Sequence, residues 1–182
     1  MNMGVHRGDS FQAIVNMACE QYYNRDIAVI KEISAKQGRD KNGRLYYKPR
    51  DKARTSLDYT GAYKFIPITF DAKETCETSR FPLKNIEPVQ VEIMGKWQKQ
   101  GICFLLVNFL KLNQCYRIYY PTVAHYWELW QAHKGERGFS SIPLQEFIDN
   151  GDIVSSHDGI VLDFLRGIDK RFKLGLQQTE TA

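Results

Sequence analysis

The 182-residue sequence predicts one α/β or α+β domain in which a β-sheet packs against helices. Its length is near the usual size of a single domain. Hydrophobic residues make up 43% and aromatic residues 13% of the chain, enough to build a core without disulfides. The periodicities run in the order helix, three strands, helix, two strands, helices. This order predicts a sheet and helices packed in layers.

The N-terminal part of the chain predicts a helix followed by a strand. Ser10 can cap a helix whose apolar residues follow helical spacing: Phe11, Ile14, Val15, Ala18 and Tyr22. Residues 27–33 are then typical of a strand. One face of the helix is therefore expected to lie in the core.

Basic residues are concentrated between Lys31 and Arg54. This stretch has nine of them against three acidic residues, a local balance of +6, whereas the whole chain carries +4 and the remainder therefore −2. Such clustering predicts a surface that binds a polyanion. Residues 34–55 show no clean period, which favours a projecting arm on which Tyr46 and Tyr47 can stack on bases. A solvated charged loop is the alternative.

Residues 57–73, LDYTGAYKFIPITFDAK, predict two strands joined by a turn near Lys64. Pro67 lacks an N–H, so it should lie at a strand start or on an edge. Pro88 suits the first turn of a helix that runs to about Lys99, with Gly101 as a stop.

The C-terminal half predicts two strands and then helices. The strands cover residues 102–109 and 115–120, and Pro121 ends the second. Thr122 can cap a short helix with an aromatic face: Val123, Tyr126, Trp127 and Trp130. Further helices are predicted over residues 144–150 and 160–172, and residues 175–182 are expected to form a flexible tail.

The four cysteines, Cys19, Cys76, Cys103 and Cys115, stand singly and predict buried free thiols. The longest apolar stretch, residues 102–110, is far too short to span a membrane, and the start of the chain does not resemble a signal peptide. We therefore expect a protein of the reducing cytoplasm with no membrane partner.

Two carboxylates and a lysine surround the predicted hairpin. Asp71 and Lys73 are two residues apart on a strand, so their side chains share a face, and Asp58 on the preceding strand can come alongside them. Two converging carboxylates form a hard-oxygen site that suits Mg²⁺ or Mn²⁺. The lysine would stabilise charge on a phosphate or orient the attacking water. By itself the pattern is weak, and a surface hairpin with an ordinary ion pair is the alternative.

A longer series of motifs resembles one family. The segments LDYTGAYKFIPITFDAKET and FPLKN are similar to the core of the RecU family of Holliday junction resolvases, within the PD-(D/E)xK nuclease superfamily. Arg7-Gly8, Tyr22-Tyr23, IAVI at residues 27–30 and residues 101–104 continue the likeness along most of the chain. The resemblance implies a restriction-endonuclease-like core, a mixed β-sheet flanked by helices, with residues 31–55 as a basic stalk between the first two core strands.

The resemblance also implies a role for each site residue. Asp58 and Asp71 would be metal ligands, Lys73 the catalytic lysine, and Ser56 a hydroxyl residue near the metal. Gln90 matches the family glutamine that follows on the next helix, and the metal site or its water could be the partner of its amide. The spacing adds support, because Ile86, Gln90, Ile93 and Trp97 share one helical stripe and so place a polar amide inward. An amide at the edge of the stripe that bonds to solvent or backbone is the alternative.

The implied substrate is four-way or otherwise branched DNA, cut by a homodimer because two symmetric nicks need two active sites. Phosphate contacts are expected from Arg7 and the basic segment: Lys36, Arg39, Lys41, Arg44, Lys48, Arg50, Lys52 and Arg54. The sequence departs from the family where Asp71 replaces the more common glutamate and where Gln12 occupies a place that is often acidic. A nuclease for other DNA structures and a non-catalytic binder of branched DNA are the alternatives.

Overall fold

The computed structural model describes residues 9–33, 37–39, 41–42, 45–47 and 56–170. Its helices are α1 (Asp9–Asn24), α2 (Pro88–Trp97), α3 (Tyr120–Ala132) and α4 (Leu144–Asn150). Its strands are β1 (Ala28–Glu32), β2 (Gln37–Arg39), β3 (Leu45–Tyr47), β4 (Tyr59–Tyr63), β5 (Ile66–Thr75), β6 (Arg80–Pro82), β7 (Ile102–Phe109), β8 (Gln114–Tyr119), β9 (Ser141–Pro143) and β10 (Asp152–Val154).

The fold centres on a mixed six-stranded sheet with the strand order β1-β4-β5-β7-β8-β10. Strands β5 and β7 are parallel over the register from Ile68↔Ile102 to Thr75↔Phe109, and every other neighbouring pair in this sheet is antiparallel. The connection between the two parallel strands carries α2. The predicted mixed sheet flanked by helices, consistent with a restriction-endonuclease-like core, is therefore confirmed.

The side chains of the sheet alternate between two apolar clusters. On one face Phe70 and Phe104 pack with the buried side of α1 and with residues 160–168. On the other face Leu105 and Val107 pack with α2, α3 and α4. Strand β7 is buried on both faces, as its uninterrupted apolar sequence predicts.

The buried side of α1 consists of Phe11, Val15, Ala18, Cys19 and Tyr22, as the helical spacing predicts. Two details of that prediction are wrong. Ile14 is 39% exposed because it lies at the margin of the apolar stripe. Ser10 lies inside the helix, which includes Asp9, and therefore does not cap it.

The predicted turn near Lys64 is confirmed. Lys64 and Phe65 both have positive φ, 46° and 66°, which is the backbone of a two-residue hairpin turn. Pro67 is the second residue of β5, ahead of the register with β7, so its missing N–H does not interrupt that pairing. On β4, Gly61 allows close approach of β1, because a Cβ there would lie 2.0 Å from the carbonyl oxygen of Val29.

Pro88 occupies the first turn of α2, as predicted, and β7 and α4 have the predicted bounds. The predicted cap of the aromatic helix is wrong, because α3 already begins at Tyr120 and Thr122 lies in its first turn. Val123 is buried, and Tyr126, Trp127 and Trp130 pack partly buried against the same cluster.

The basic segment contains a hairpin that the sequence did not predict. Strands β2 and β3 pair antiparallel from Gln37↔Tyr47 to Arg39↔Leu45 and form a sheet separate from the central one. Strands β6 and β9 form a second small sheet, and β10 extends the central sheet at the edge beyond β8. All of these strands are only three residues long.

The helix predicted over residues 160–172 is wrong for its first part. The chain from Ile160 to Gly167 consists of bends and turns, and only residues 168–170 of its described portion are helical. The buried guanidinium of Arg117 on β8 donates to the carbonyl oxygens of Phe164 and Arg166 and to the carboxylate of Asp152. These contacts hold the chain in a non-helical path, and the positive φ of Gly167, 79°, interrupts a right-handed helix. The predicted tail, residues 175–182, lies outside the described residues.

All four cysteines are free thiols, as predicted, but only Cys19, Cys103 and Cys115 are buried. Cys76 is exposed because it directly follows the end of β5. Among the helices of the described residues, we find none with the length and apolar character that a membrane crossing requires.

Candidate active site

Asp71 and Lys73 lie on the face of β5 that is turned toward α2. Asp71 is completely buried, and its Oδ2 lies 2.9 Å from Nζ of Lys73, whose side chain is 20% exposed. The two-residue period of the strand therefore places the two side chains as predicted. The lysine retains access to the surface, whereas the carboxylate does not.

Asp58 comes alongside Asp71. It directly precedes β4 rather than lying on the strand as predicted. Because Tyr59 of β4 pairs with Phe70 of β5, the two aspartates still come together at the start of this strand pair. The two side chains lie close enough for Asp58 to raise the pKa of the Asp71 carboxyl. Asp58 is only half-buried and can meet a molecule that arrives from solvent. The predicted convergence of two carboxylates and a lysine is present in the fold.

The backbone at Asp58 is held on both sides by Thr69. The buried hydroxyl of Thr69 accepts a hydrogen bond from the N–H of Leu57, 3.1 Å away, and donates to the carbonyl of Tyr59, 2.9 Å away. The N–H of Ile33 donates to the carbonyl of Asp58 itself. Asp58 therefore has little backbone freedom, although it stands outside a regular strand.

Gln90 is buried and faces inward from α2, as its position in the apolar stripe predicts. Its amide nitrogen donates to Oδ2 of Asp71, and its amide oxygen accepts from the N–H of Glu87, 2.9 Å away. Because Glu87 can only donate there, the amide must turn its NH₂ group to Asp71. This geometry makes Gln90 a partner that orients the carboxylate, and its role as a direct metal ligand stays a prediction.

Only one oxygen of the Asp71 carboxylate has partners in the described residues. Oδ2 has Lys73 and Gln90 as partners, whereas the buried Oδ1 has no hydrogen-bond partner in the described residues. A buried carboxylate oxygen without a partner is costly, and a hard cation beside it removes that cost. The described residues contain no cluster of three or more His, Cys, Asp or Glu side chains suited to a metal. Asp58 and Asp71 nevertheless fit Mg²⁺, which is commonly bound by one or two carboxylates together with water and phosphate.

Burial raises the pKa of Asp71 well above its ordinary value. Asp58 raises the pKa further, because protonated Asp71 could donate a hydrogen bond to it and because its negative charge disfavours a second one, while Lys73 lowers the pKa. The charged form of Asp71 is therefore stabilised too little by the protein alone. An added positive charge would supply the missing stabilisation.

Ser56 and the predicted DNA-contact residues are the other members of the predicted site. Ser56 is half-buried two residues before Asp58, and nothing tests its part in the site. Lys41 is exposed, and Arg39 ends β2. The other predicted DNA contacts lie outside the described residues: Arg7, Lys36, Arg44, Lys48, Arg50, Lys52 and Arg54.

Gln12 on α1 stands where related proteins often have an acidic residue. It lies on the opposite side of β5 from Asp71. It lines a cavity of about 320 Å³ together with Ala72 and Glu74, whose side chains point toward α1.

Thr69 belongs to the site but was not predicted from the sequence. The alternation that placed Asp71 and Lys73 on one face also places Thr69 there, and this was the available signal.

A mixed sheet with an acid and a lysine on a central strand, a second acid just before the neighbouring strand and an inward amide from the crossover helix is typical of restriction-endonuclease-like PD-(D/E)xK folds. Residues 6–170 match the family described as "Recombination protein U" (RecU). The chain is 35% identical over 157 residues to the "Holliday junction resolvase RecU" of Streptococcus uberis, a match that covers 80% of this chain and 73% of that protein. The protein of the same description from Ligilactobacillus salivarius is 30% identical over 171 residues, which cover 90% of this chain and 78% of the relative. The chain belongs to the RecU family.

Proposed function

We propose that this protein is a metal-dependent endodeoxyribonuclease that resolves four-way DNA junctions. One observation carries the catalytic part of the proposal: Asp71 is buried beside Asp58 with Oδ2 held by Lys73 and Oδ1 without a partner. A structural ion pair would satisfy both oxygens. A cation-binding carboxylate instead needs one oxygen held in place and one left available.

Asp58 and Asp71 would hold Mg²⁺, or Mn²⁺, with Ser56 and Gln90 beside it. Bound there, the ion would make a coordinated water more acidic and neutralise negative charge on a phosphodiester. The half-exposed Asp58 receives the cation from solvent, and Gln90 prevents the Asp71 carboxylate from rotating. Thr69 keeps Asp58 at the same site through its two backbone contacts.

Lys73 would stabilise the charge that develops on the phosphate or orient the attacking water. Its ammonium group is anchored 2.9 Å from Asp71 and remains partly exposed, so it can also reach a phosphate oxygen. A fixed positive group is more effective there than one that must reorganise during the reaction.

Several features support branched DNA as the substrate. The relatives from S. uberis and L. salivarius are described as Holliday junction resolvases. The basic segment between β1 and β4 in the sequence carries charge suited to sequence-independent phosphate contacts. Two opposed strands must be cut to resolve a junction, and a two-fold homodimer acting in the cytoplasm would supply the two sites.

Cleavage of matched substrates tests the proposal. A synthetic four-way junction and a linear duplex of the same arm sequence are incubated with the protein and Mg²⁺, and the nicks are mapped on each strand. We expect paired nicks at symmetric positions in the junction and little cutting of the duplex. Equal cutting of both substrates would indicate a nuclease for other DNA, and tight junction binding without cleavage in either Mg²⁺ or Mn²⁺ would reject the catalytic assignment.

A further inference from the structure

A polar cleft of about 390 Å³ lies where the central parallel strands end. Because β5 and β7 are parallel, their last residues, Thr75 and Phe109, pair at the same edge of the sheet. The carboxyl ends of parallel strands are a common place for ligands in sheets that carry crossover helices. Thr75, Lys84, Asn85 and Lys111 contribute polar groups to this cleft.

Two lysines provide the available charge of the cleft. Lys84, just before α2, and Lys111, just after β7, are both exposed, and neither forms an ion pair within the described part of the chain. The acidic residues of the cleft are already engaged. Glu77 lies 3.7 Å from Nε of Arg80, and Glu74 accepts a hydrogen bond of 3.3 Å from Asn108. The other oxygen of Glu74, Oε2, is buried and has no hydrogen-bond partner in the described residues, so this carboxylate is not neutralised. Lys84 and Lys111 are thus the exposed, unpaired cations of the cleft that an anion from solvent can reach.

The cleft continues the face of β5 that carries the candidate active site. Thr75 follows Asp71 and Lys73 at two-residue intervals, so all three side chains lie on the same side of the strand. Four residues of strand correspond to about 13 Å between the Cα atoms of Asp71 and Thr75. Phosphates of one DNA strand advance about 3.4 Å along the helix axis per nucleotide. Because the backbone also winds around that axis, consecutive phosphates are farther apart than this rise. A strand that runs along β5 from a cut at Asp71 would therefore reach the cleft within about four nucleotides.

We propose that this cleft binds a backbone phosphate of the DNA strand that is cut. Lys84 and Lys111 supply the two ionic contacts, and the exposed side-chain amide of Asn85 can donate a hydrogen bond to the same phosphate. The contact would be independent of base sequence and would fix the position of the strand relative to Asp71. This inference rests on the proposed nuclease function, since it places the cut strand across β5.

The salt dependence of binding tests the site. The variant Lys84→Ala/Lys111→Ala is compared with Lys99→Ala/Lys170→Ala, a matched loss of two exposed lysines outside the cleft. Binding of a synthetic four-way junction is measured without divalent ions over a range of salt concentrations. Loss of one phosphate contact should make the slope of log K against log salt shallower by about 0.9, with affinity reduced about tenfold at low salt. An unchanged slope in the cleft variant, or an equal change in the control, would overturn the proposal.

A scan with single methylphosphonates, each of which removes one phosphate charge, tests the position. The wild type should lose affinity at one site within about four nucleotides of the nick, and the cleft variant should be insensitive there. Equal sensitivity of both proteins would overturn the assignment. Failure of the nuclease proposal is distinguishable, because it would appear as absence of cleavage by the wild type, whereas failure of this site appears in binding alone.

Cys76 provides a test without substitution in the cleft. It is the exposed member of the four cysteines and lines the cleft, while the other three thiols are buried. A saturating junction should slow its alkylation by a thiol reagent about tenfold or more, since access governs the rate. Alkylation at the same rate with and without DNA would contradict the proposed contact.

Discussion

At the scale of single residues, Asp71 combines a requirement for function with a cost in stability. It is completely buried, and burial raises its pKa, so the protein binds a proton more tightly when folded than when unfolded. Stability must then fall as pH rises from the ordinary aspartate value through the raised one. A bound cation would reverse this loss.

Asp71→Asn should therefore make the protein more stable at pH 8 while removing its activity. The neutral amide avoids the burial of a charge, so we expect the free energy of unfolding to rise by about 1 kcal/mol or more. For a chain of this length, that raises the Tm by about 2–4 °C. At pH 5 the difference should be smaller. Thermal unfolding without divalent ions measures both, with Asp149→Asn on the exposed side of α4 as the control. A lower Tm than wild type at pH 8 would contradict this account of the site.

Thr69 is a positioning residue for Asp58. Thr69→Val keeps the shape but leaves the N–H of Leu57 and the carbonyl of Tyr59 unpaired, at a cost of about 1–3 kcal/mol. We expect the single-turnover cleavage rate at saturating junction to fall about tenfold or more. Thr69→Ser keeps the hydroxyl and should retain the rate within about threefold. If folded Thr69→Val cleaves like wild type well below its Tm, the residue stabilises the fold only.

The sequence could indicate Asp58, Asp71 and Lys73 because strand alternation decides which side chains share a face. It could not indicate the contacts of Thr69, since threonine is common in strands and its partners depend on the register between β4 and β5. The free oxygen of Asp71 likewise emerges only once Gln90 and Lys73 are placed against the other one.

At the scale of elements, the long periodic segments were predictable and the short ones were not. Strand β7 and helix α4 have their predicted bounds, because a long apolar run and a clear helical stripe suffice to define them. Three-residue strands such as β10 offer too few positions for a period. Residues 160–168 have apolar residues at helical spacing, yet they do not form a helix. Gly167 adopts positive φ, and the guanidinium of Arg117 binds the carbonyl oxygens of Phe164 and Arg166.

The hairpin turn between β4 and β5 is strained and can be improved. Phe65 adopts a left-handed conformation, with φ 66°, and its side chain is fully exposed. Packing of the ring therefore does not offset the cost of this conformation. Phe65→Gly should stabilise the protein by about 1 kcal/mol, because glycine avoids the Cβ clash. Phe65→Ala removes the ring but retains the Cβ, and should give little gain. Urea unfolding compares the two, and equal stabilities would show that the turn stores no such strain.

In the molecule as a whole, the two faces of β5 have different roles. Residues toward α1 form core, whereas those toward α2 include Asp71, Lys73 and the edge that opens to the cleft. Within the described residues, one chain forms one such site. The proposed paired incisions would therefore be supplied by two chains arranged around a two-fold axis.

The proposed homodimer predicts the behaviour of mixed assemblies. Sedimentation should give twice the mass of the chain at working concentrations. Co-expression of differently tagged wild-type and Asp71→Asn chains should yield mixed dimers that nick one strand of a junction and leave the opposed strand intact. A monomer in solution that still makes paired nicks, or mixed dimers that cut both strands at the wild-type rate, would contradict the two-site arrangement.

The central claim is that Asp58 and Asp71 together form the cation site of a junction-cutting enzyme. Its most direct test is single-turnover cleavage of a labelled four-way junction in Mg²⁺ by wild type, Asp58→Asn and Asp71→Asn, with binding measured in parallel. We expect each variant to cut at least about a hundredfold more slowly while it binds the junction about as tightly as wild type. Cleavage by either variant at close to the wild-type rate would contradict the claim.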